Sequence, residues 1–136
     1  MISYHYETDF LLQNEDHWAN WISKVIQIEG CVEGEINYIF CSDDYLHKIN
    51  LDFLNHDTLT DIISFDYSVG KQLHGDIYIS VDRVSENAKD FNVEFSNELA
   101  RVMVHGVLHY CGYKDKSDDD VKLMREKEDE HLAHLS

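Results

Sequence analysis

Apolar and polar side chains alternate through ISYHYE (2–7), and this period of two predicts a short strand. From about Asn14 the spacing changes. Trp18, Trp21, Ile22, Val25 and Ile28 recur at steps of three and four, which predicts an amphipathic helix ending near Gly30. The β-branched and aromatic run EINYIFCS (35–42) predicts a second strand. Ser42 or Asp43 can then cap a helix with Leu46, Ile49, Phe53 and Leu54 as its buried positions. Two β-rich runs, TDIISFDYS (60–68) and GDIYISVD (75–82), are joined by VGKQLH, a hairpin-length link containing glycine. A helix from about Val84 to Phe91 follows. Ser96 would cap the next helix, SNELARVMVHGVLHYCG, and Gly112 would end it by accepting a left-handed conformation. The final stretch, SDDDVKLMREKEDEHLAHL (117–135), opens with aspartates suited to a helix N-terminus and carries Val121, Met124 and Leu132 on a narrow apolar stripe. The order β-α-β-α-β-β-α-α-α predicts an α+β domain with a small sheet, and no glycine-rich phosphate loop follows any strand.

At 136 residues the chain is long enough for one core and too short for two ordinary ones, so a single domain spanning 1–136 is expected. The N-terminus shows no basic region followed by an apolar run, and nothing approaches the roughly 20 apolar residues of a membrane helix. A cytoplasmic protein without membrane contact is the expectation. Three cysteines at wide spacing, Cys31, Cys41 and Cys111, make neither a disulfide framework nor a zinc knuckle. A net charge of −16 repels a polyanion at long range, which excludes nucleic-acid binding through a broad basic surface. RNA would have to be met by a local cluster or through a metal ion. Of the nine histidines, the scattered His17, His131 and His134 read as solvated.

Residues 105–115 read HGVLHYCGYKD. Side chains four apart on a helix differ by about 40° around its axis, so His105 and His109 share a face and can converge on one ion. Glu98 and Arg101 fall near that face, whereas Val104, Leu108 and Cys111 point toward the core. A turn at Gly112 can bring Asp115 to the same ion as third ligand, leaving a fourth position for water. Two surface histidines explain the pair equally well. Gly106 stands where the protease pattern HExxH carries its general base, so peptide hydrolysis by that route lacks its base. Asp118, Asp119 and Asp120 read as a helix start rather than as ligands, Asp61 and Ser64 could line a cleft, and Tyr113 reads as packing beneath the turn.

HGVLHYCGYKD resembles the HGxLHLxGYDH signature of the bacterial YbeY-type rRNA maturation factors, which are metal-dependent, single-strand-specific endoribonucleases. Further blocks keep the same order: TDIISF (60–65) resembles the family's TDVLSF strand and GDIYIS (75–80) its GDIxIS strand, Asn97-Glu98-Leu99 resembles the approach to the motif helix, and Met124 with Glu128 matches a trailing M…E helix. The resemblance implies a zincin-like α+β fold, a small mixed sheet packed with helices, and one zinc ion held by His105, His109 and Asp115. It further implies single-stranded ribosomal RNA as substrate, with the ribosome or assembly proteins as partners. Two positions depart from the pattern. Asp115 occupies the third-ligand position, usually histidine; a carboxylate lowers the site's Lewis acidity and widens the acceptable metals toward manganese or another divalent ion. In INLDFLNHDTLTD (49–61), Leu54 stands where the family carries an arginine. Phosphodiester cleavage needs positive charge near the developing oxygens. His56, Arg101, Lys114 or Lys116 could supply it, and Arg101, one turn before His105, is best placed; an ion pair of Arg101 with Glu98 or Glu94 is equally open. The other readings are a ribosome-assembly binding factor with a structural or vestigial metal, favoured by Leu54, and a metallo-amidase or protease, opposed by Gly106.

Overall fold

The computed structural model describes residues 1–56 and 58–135. Asp57, in the 49–61 block, and Ser136, the last residue of the expected domain, lie outside the described residues. The elements follow the expected order: β1 (Ile2–Tyr6), α1 (Glu15–Ile28), β2 (Val32–Cys41), α2 (Asp43–Leu54), β3 (Ile62–Asp66), β4 (Gln72–Ser80), α3 (Val81–Phe91), α4 (Phe95–Tyr110) and α5 (Asp118–Leu132).

The four strands form one mixed sheet in the order β1-β2-β4-β3. β1 and β4 flank β2 in parallel, and β3 closes the edge antiparallel to β4. On one face, Ile36, Tyr38 and Phe40 of β2 and Leu73, Ile77 and Ile79 of β4 are fully buried against α1 and α4, as a period of two requires. On the other face Cys41 and Ile63 pack with Leu46 of α2 in a smaller cluster.

α4 runs through the larger core, burying Leu99, Met103, Val104, Val107 and Leu108. Two tyrosines fix its height on the sheet. Tyr38 donates to the Met103 carbonyl at 2.9 Å, and Tyr110 donates to the Phe65 carbonyl at 2.8 Å. Gly106 lets helix and sheet approach closely, since a Cβ there would lie 3.1 Å from the Cδ1 atoms of both Ile62 and Ile77.

Several boundaries and faces differ from the sequence expectation. β4 begins at Gln72 rather than Gly75, because β2 extends back to Val32 and pairs Val32 with Gln72 and Glu33 with Leu73. α3 begins at Val81, where Ser80 caps it by accepting from the Arg83 amide. α4 begins at Phe95 with Glu94 as N-cap, so Ser96 lies inside the first turn and does not cap; Phe95 is drawn in by the Phe10 ring, 5.8 Å away. Ser42 caps α2 as expected. Phe53 and Leu54, expected inside, are exposed, and the inward polar residue is Asn50, which donates to the Thr58 carbonyl at 2.9 Å. Ile28 is exposed while Ile26 is buried, and Val121 is exposed.

Candidate metal centre

His105 and His109 lie one turn apart in the last part of α4, and Gly112, at φ +106°, reverses the chain beyond it. The turn carries Asp115 back to the histidines. His105 Nε2 and His109 Nε2 are 3.0 Å apart, and Asp115 Oδ2 lies 3.2 Å from His109 Nε2 and 3.5 Å from His105 Nε2. Bonds of about 2.0–2.2 Å in a tetrahedral arrangement set ligand atoms about 3.3–3.5 Å apart, so the three atoms are spaced to share one ion. Among the described residues this is the group of three metal-ligating side chains that converges in this way.

The protons on the rings follow from their other partners. His105 Nδ1 donates to Glu128 Oε2 at 2.7 Å, and His109 Nδ1 donates to the Tyr113 carbonyl at 3.0 Å. A neutral imidazole carries one proton, so both Nε2 atoms present lone pairs to the same point. Two lone pairs facing at 3.0 Å repel unless a cation lies between them. The donor set therefore fits a divalent metal, with the outer carboxylate and carbonyl orienting the two imidazoles.

Glu128, from α5, is buried and is the support that sequence reasoning left without a role beyond its motif match. Arg101 Nη1 donates to its other oxygen, Oε1, at 2.9 Å, while Arg101 Nη2 pairs with Asp129 at 2.7 Å. Burial alone would raise the Glu128 carboxyl, but the hydrogen bonds from His105 and Arg101 hold it below the usual range. Burial alone would likewise lower His105, and Glu128, then Asp115 and Asp61, raise it above its ordinary value. The signal in the sequence was spacing: Met124, Glu128 and His131 follow at steps of four and three, placing charged and polar residues on the inward stripe of α5.

His131 corrects the expectation of a solvated histidine. It is fully buried and donates through Nε2 to Glu29 at 2.6 Å, and Glu29 also accepts from the Tyr113 hydroxyl at 2.6 Å. Tyr113 thus packs beneath the metal turn as expected. His17 and His134 are exposed. Ser117 caps α5 in a capping box with Asp120, so the three aspartates mark a helix start. Cys111 faces the core and touches Cys31, away from the ligand face.

A cavity of about 340 Å³ opens beside the histidines, lined in part by Asp61, Asn87, Glu98, Arg101, His105 and Asp115. Asp61 reaches it and Ser64 does not line it. Leu54 also stands outside its lining. Burial holds the carboxyls of Asp61 and Glu98 above their usual range.

Comparison with known proteins fits this geometry. Residues 3–136 match the family model described as Endoribonuclease YbeY. A protein of that name from Flavobacterium johnsoniae is 65% identical over 133 residues, 98% of this chain and 96% of the relative. One from Flavobacterium psychrophilum is 66% identical over 132 residues, 97% and 94% of the two chains. The solution structure of TM1509 from Thermotoga maritima superposes with a TM-score of 0.71 at 28% identity, covering 99% of this chain and 89% of that one. With a shared fold, a match over nearly the whole sequence and a converged ligand set, the chain belongs to the Endoribonuclease YbeY family.

Proposed function

We propose that the protein is a metal-dependent endoribonuclease that cuts single-stranded RNA during ribosomal RNA processing, with the ribosome or assembly proteins as partners in the cytoplasm. The observation that carries this reading is the convergence of His105 Nε2, His109 Nε2 and Asp115 Oδ2 with both Nδ1 atoms already committed. Zinc suits two imidazoles and a carboxylate best, and manganese is the alternative. When bound, such an ion supplies an acidified water and a Lewis acid toward a phosphate oxygen.

The chain's own residues do the rest. Glu128 and the Tyr113 carbonyl hold the imidazoles in the tautomer and orientation the site needs. Asp115, on the exposed side of the turn, leaves the outer approach open to an extended strand. Arg101 lines the cavity with donors beyond the two that Glu128 and Asp129 occupy, and we assign it the contact to a phosphate oxygen that Leu54 cannot make.

Metal content by elemental analysis and cleavage of a single-stranded RNA, measured for wild type and His109→Ala, test the reading. Stoichiometric metal and cleavage in wild type, both lost in the variant, are expected. Stoichiometric metal without cleavage, across several RNAs and metals, would turn the assignment to an assembly factor, the reading that the exposed Leu54 favours.

A further inference from the structure

Glu98 lines the cavity beside the metal centre, is only 5% exposed, and among the described residues its carboxyl has no side-chain hydrogen-bond or ion-pair partner. In its ionised form this carboxylate accepts hydrogen bonds and cannot donate them, so it is satisfied by a ligand that brings N–H groups. Its neighbours in the cavity add acceptors. Asn87 donates its amide N–H to Asp61 at 3.4 Å, which leaves the Asn87 carbonyl oxygen unused. The remaining wall is mixed: Ile62 and Val102 are apolar, the ring of Phe91 stands at 58% exposure, and Arg101 and Arg125 bring positive charge. A hydrated cation gains nothing from an aromatic wall, and no third ligating side chain joins Asp61 and Glu98 among the described residues. A flat heterocycle with two adjacent N–H donors meets both halves of the cavity: its face stacks on an aromatic ring and its edge pairs with a carboxylate. Among the four RNA bases guanine, through N1–H and the N2 amino group, presents that edge.

We propose that this cavity is a nucleobase subsite in which Glu98 accepts the paired N–H donors of a guanine and Phe91 stacks on its ring. Glu98 precedes His105 by seven residues, about 10 Å along the helix axis, which is close to one nucleotide's reach from the metal. The subsite makes the enzyme cut next to guanosine in unpaired RNA. It also gives a strongly acidic protein a second hold on RNA, through a base edge where its charge attracts, beside the phosphate contact assigned to Arg101. The inference rests on the nuclease reading, so the experiment separates the two.

The metal-loaded full chain is given short oligouridylates that carry one guanosine, or inosine in its place, and kcat/KM is measured. Inosine lacks only the N2 amino group. Wild type is expected to prefer guanosine about tenfold, as a lost half of a bidentate base contact implies, and Glu98→Gln to bring the ratio close to one while still binding metal. Equal rates for the two substrates in wild type, or a ratio unchanged in Glu98→Gln, would overturn the subsite. If Glu98→Gln does not fold, Phe91→Ala serves: a higher KM for the guanosine substrate supports the subsite and an unchanged KM overturns it. If wild type cleaves no oligonucleotide, including oligouridylate alone, the nuclease reading fails. An NMR titration with guanosine and with inosine then decides the subsite, which stands only if guanosine binds more tightly and shifts residues 87, 91 and 98.

Discussion

His105 and His109 both present Nε2 to the metal position because each Nδ1 has an acceptor of its own, Glu128 for one and the Tyr113 carbonyl for the other. The carboxylate support is the stronger of the two, being ionised, short and buried. Glu128→Gln keeps the shape but removes the charge, and its amide can present N–H to a ring that also needs to donate. Metal affinity is expected to fall about 10- to 100-fold in this variant, read by competition with a chromogenic chelator. Affinity equal to wild type would mean that the ring is oriented by packing alone. Arg101, bound to the far oxygen of Glu128, links this support to the cavity wall.

Two helix starts are joined at the level of the elements. Asp43 in the first turn of α2 accepts from Ser80 Oγ at 2.7 Å and from Arg83 Nη2 at 3.0 Å, so the beginning of α2 is held against the beginning of α3. Burial alone would raise the Asp43 carboxyl, but the hydrogen bonds from Arg83 and Ser80 and the charge of Arg83 hold it below the usual carboxylate range. A folded-state value below the unfolded one stabilises the protein above the unfolded value of about 3.9, and the contribution is lost as pH falls through the folded value. Asp43→Asn is therefore expected to be less stable than wild type near neutral pH and to converge with it in acid. Urea midpoints collected down to about pH 3 check this; a gap that persists in acid would assign the loss to geometry rather than charge.

The molecule as a whole is closed by α5, which brings Glu128 to His105 and His131 to Glu29 at the end of α1. Asp115 stands on the turn between α4 and α5, so a bound ion ties that turn to the core helix. Chelation is expected to lower the melting temperature; metal at a hundredfold above its Kd contributes about 2.7 kcal/mol, roughly 10 °C for a chain of this size. An unchanged melting curve would mean that the three ligands hold their places without it. Much of this arrangement was legible in the chain. α4 and β2 carry long, strong periods, and the four-residue step with a glycine turn placed both histidines and Asp115 together. Periodicity says which residues share a face, though, and not how much of that face is covered. Phe53 and Leu54 continue the apolar pattern of α2 to the edge of the sheet, where Phe53 meets the ring of Phe65 in β3, and so they are exposed. His131 and Glu128 look like surface residues until α1 and α4 supply their partners, which are 102 and 23 residues away in sequence.

The seam at Gly106 bears on how such a site could change its chemistry over time. Replacing that glycine with the glutamate of a metalloprotease would start a side chain against Ile62 and Ile77, which are already within 3.1 Å of a methyl's position. A glutamate at this position requires Ile62 and Ile77 to give way by a few tenths of an ångström, so a change toward HExxH presses on the seam between the sheet and the helix that carries the histidines. An engineer seeking a peptidase from this scaffold would therefore repack Ile62 of β3 and Ile77 of β4 together with any change at Gly106.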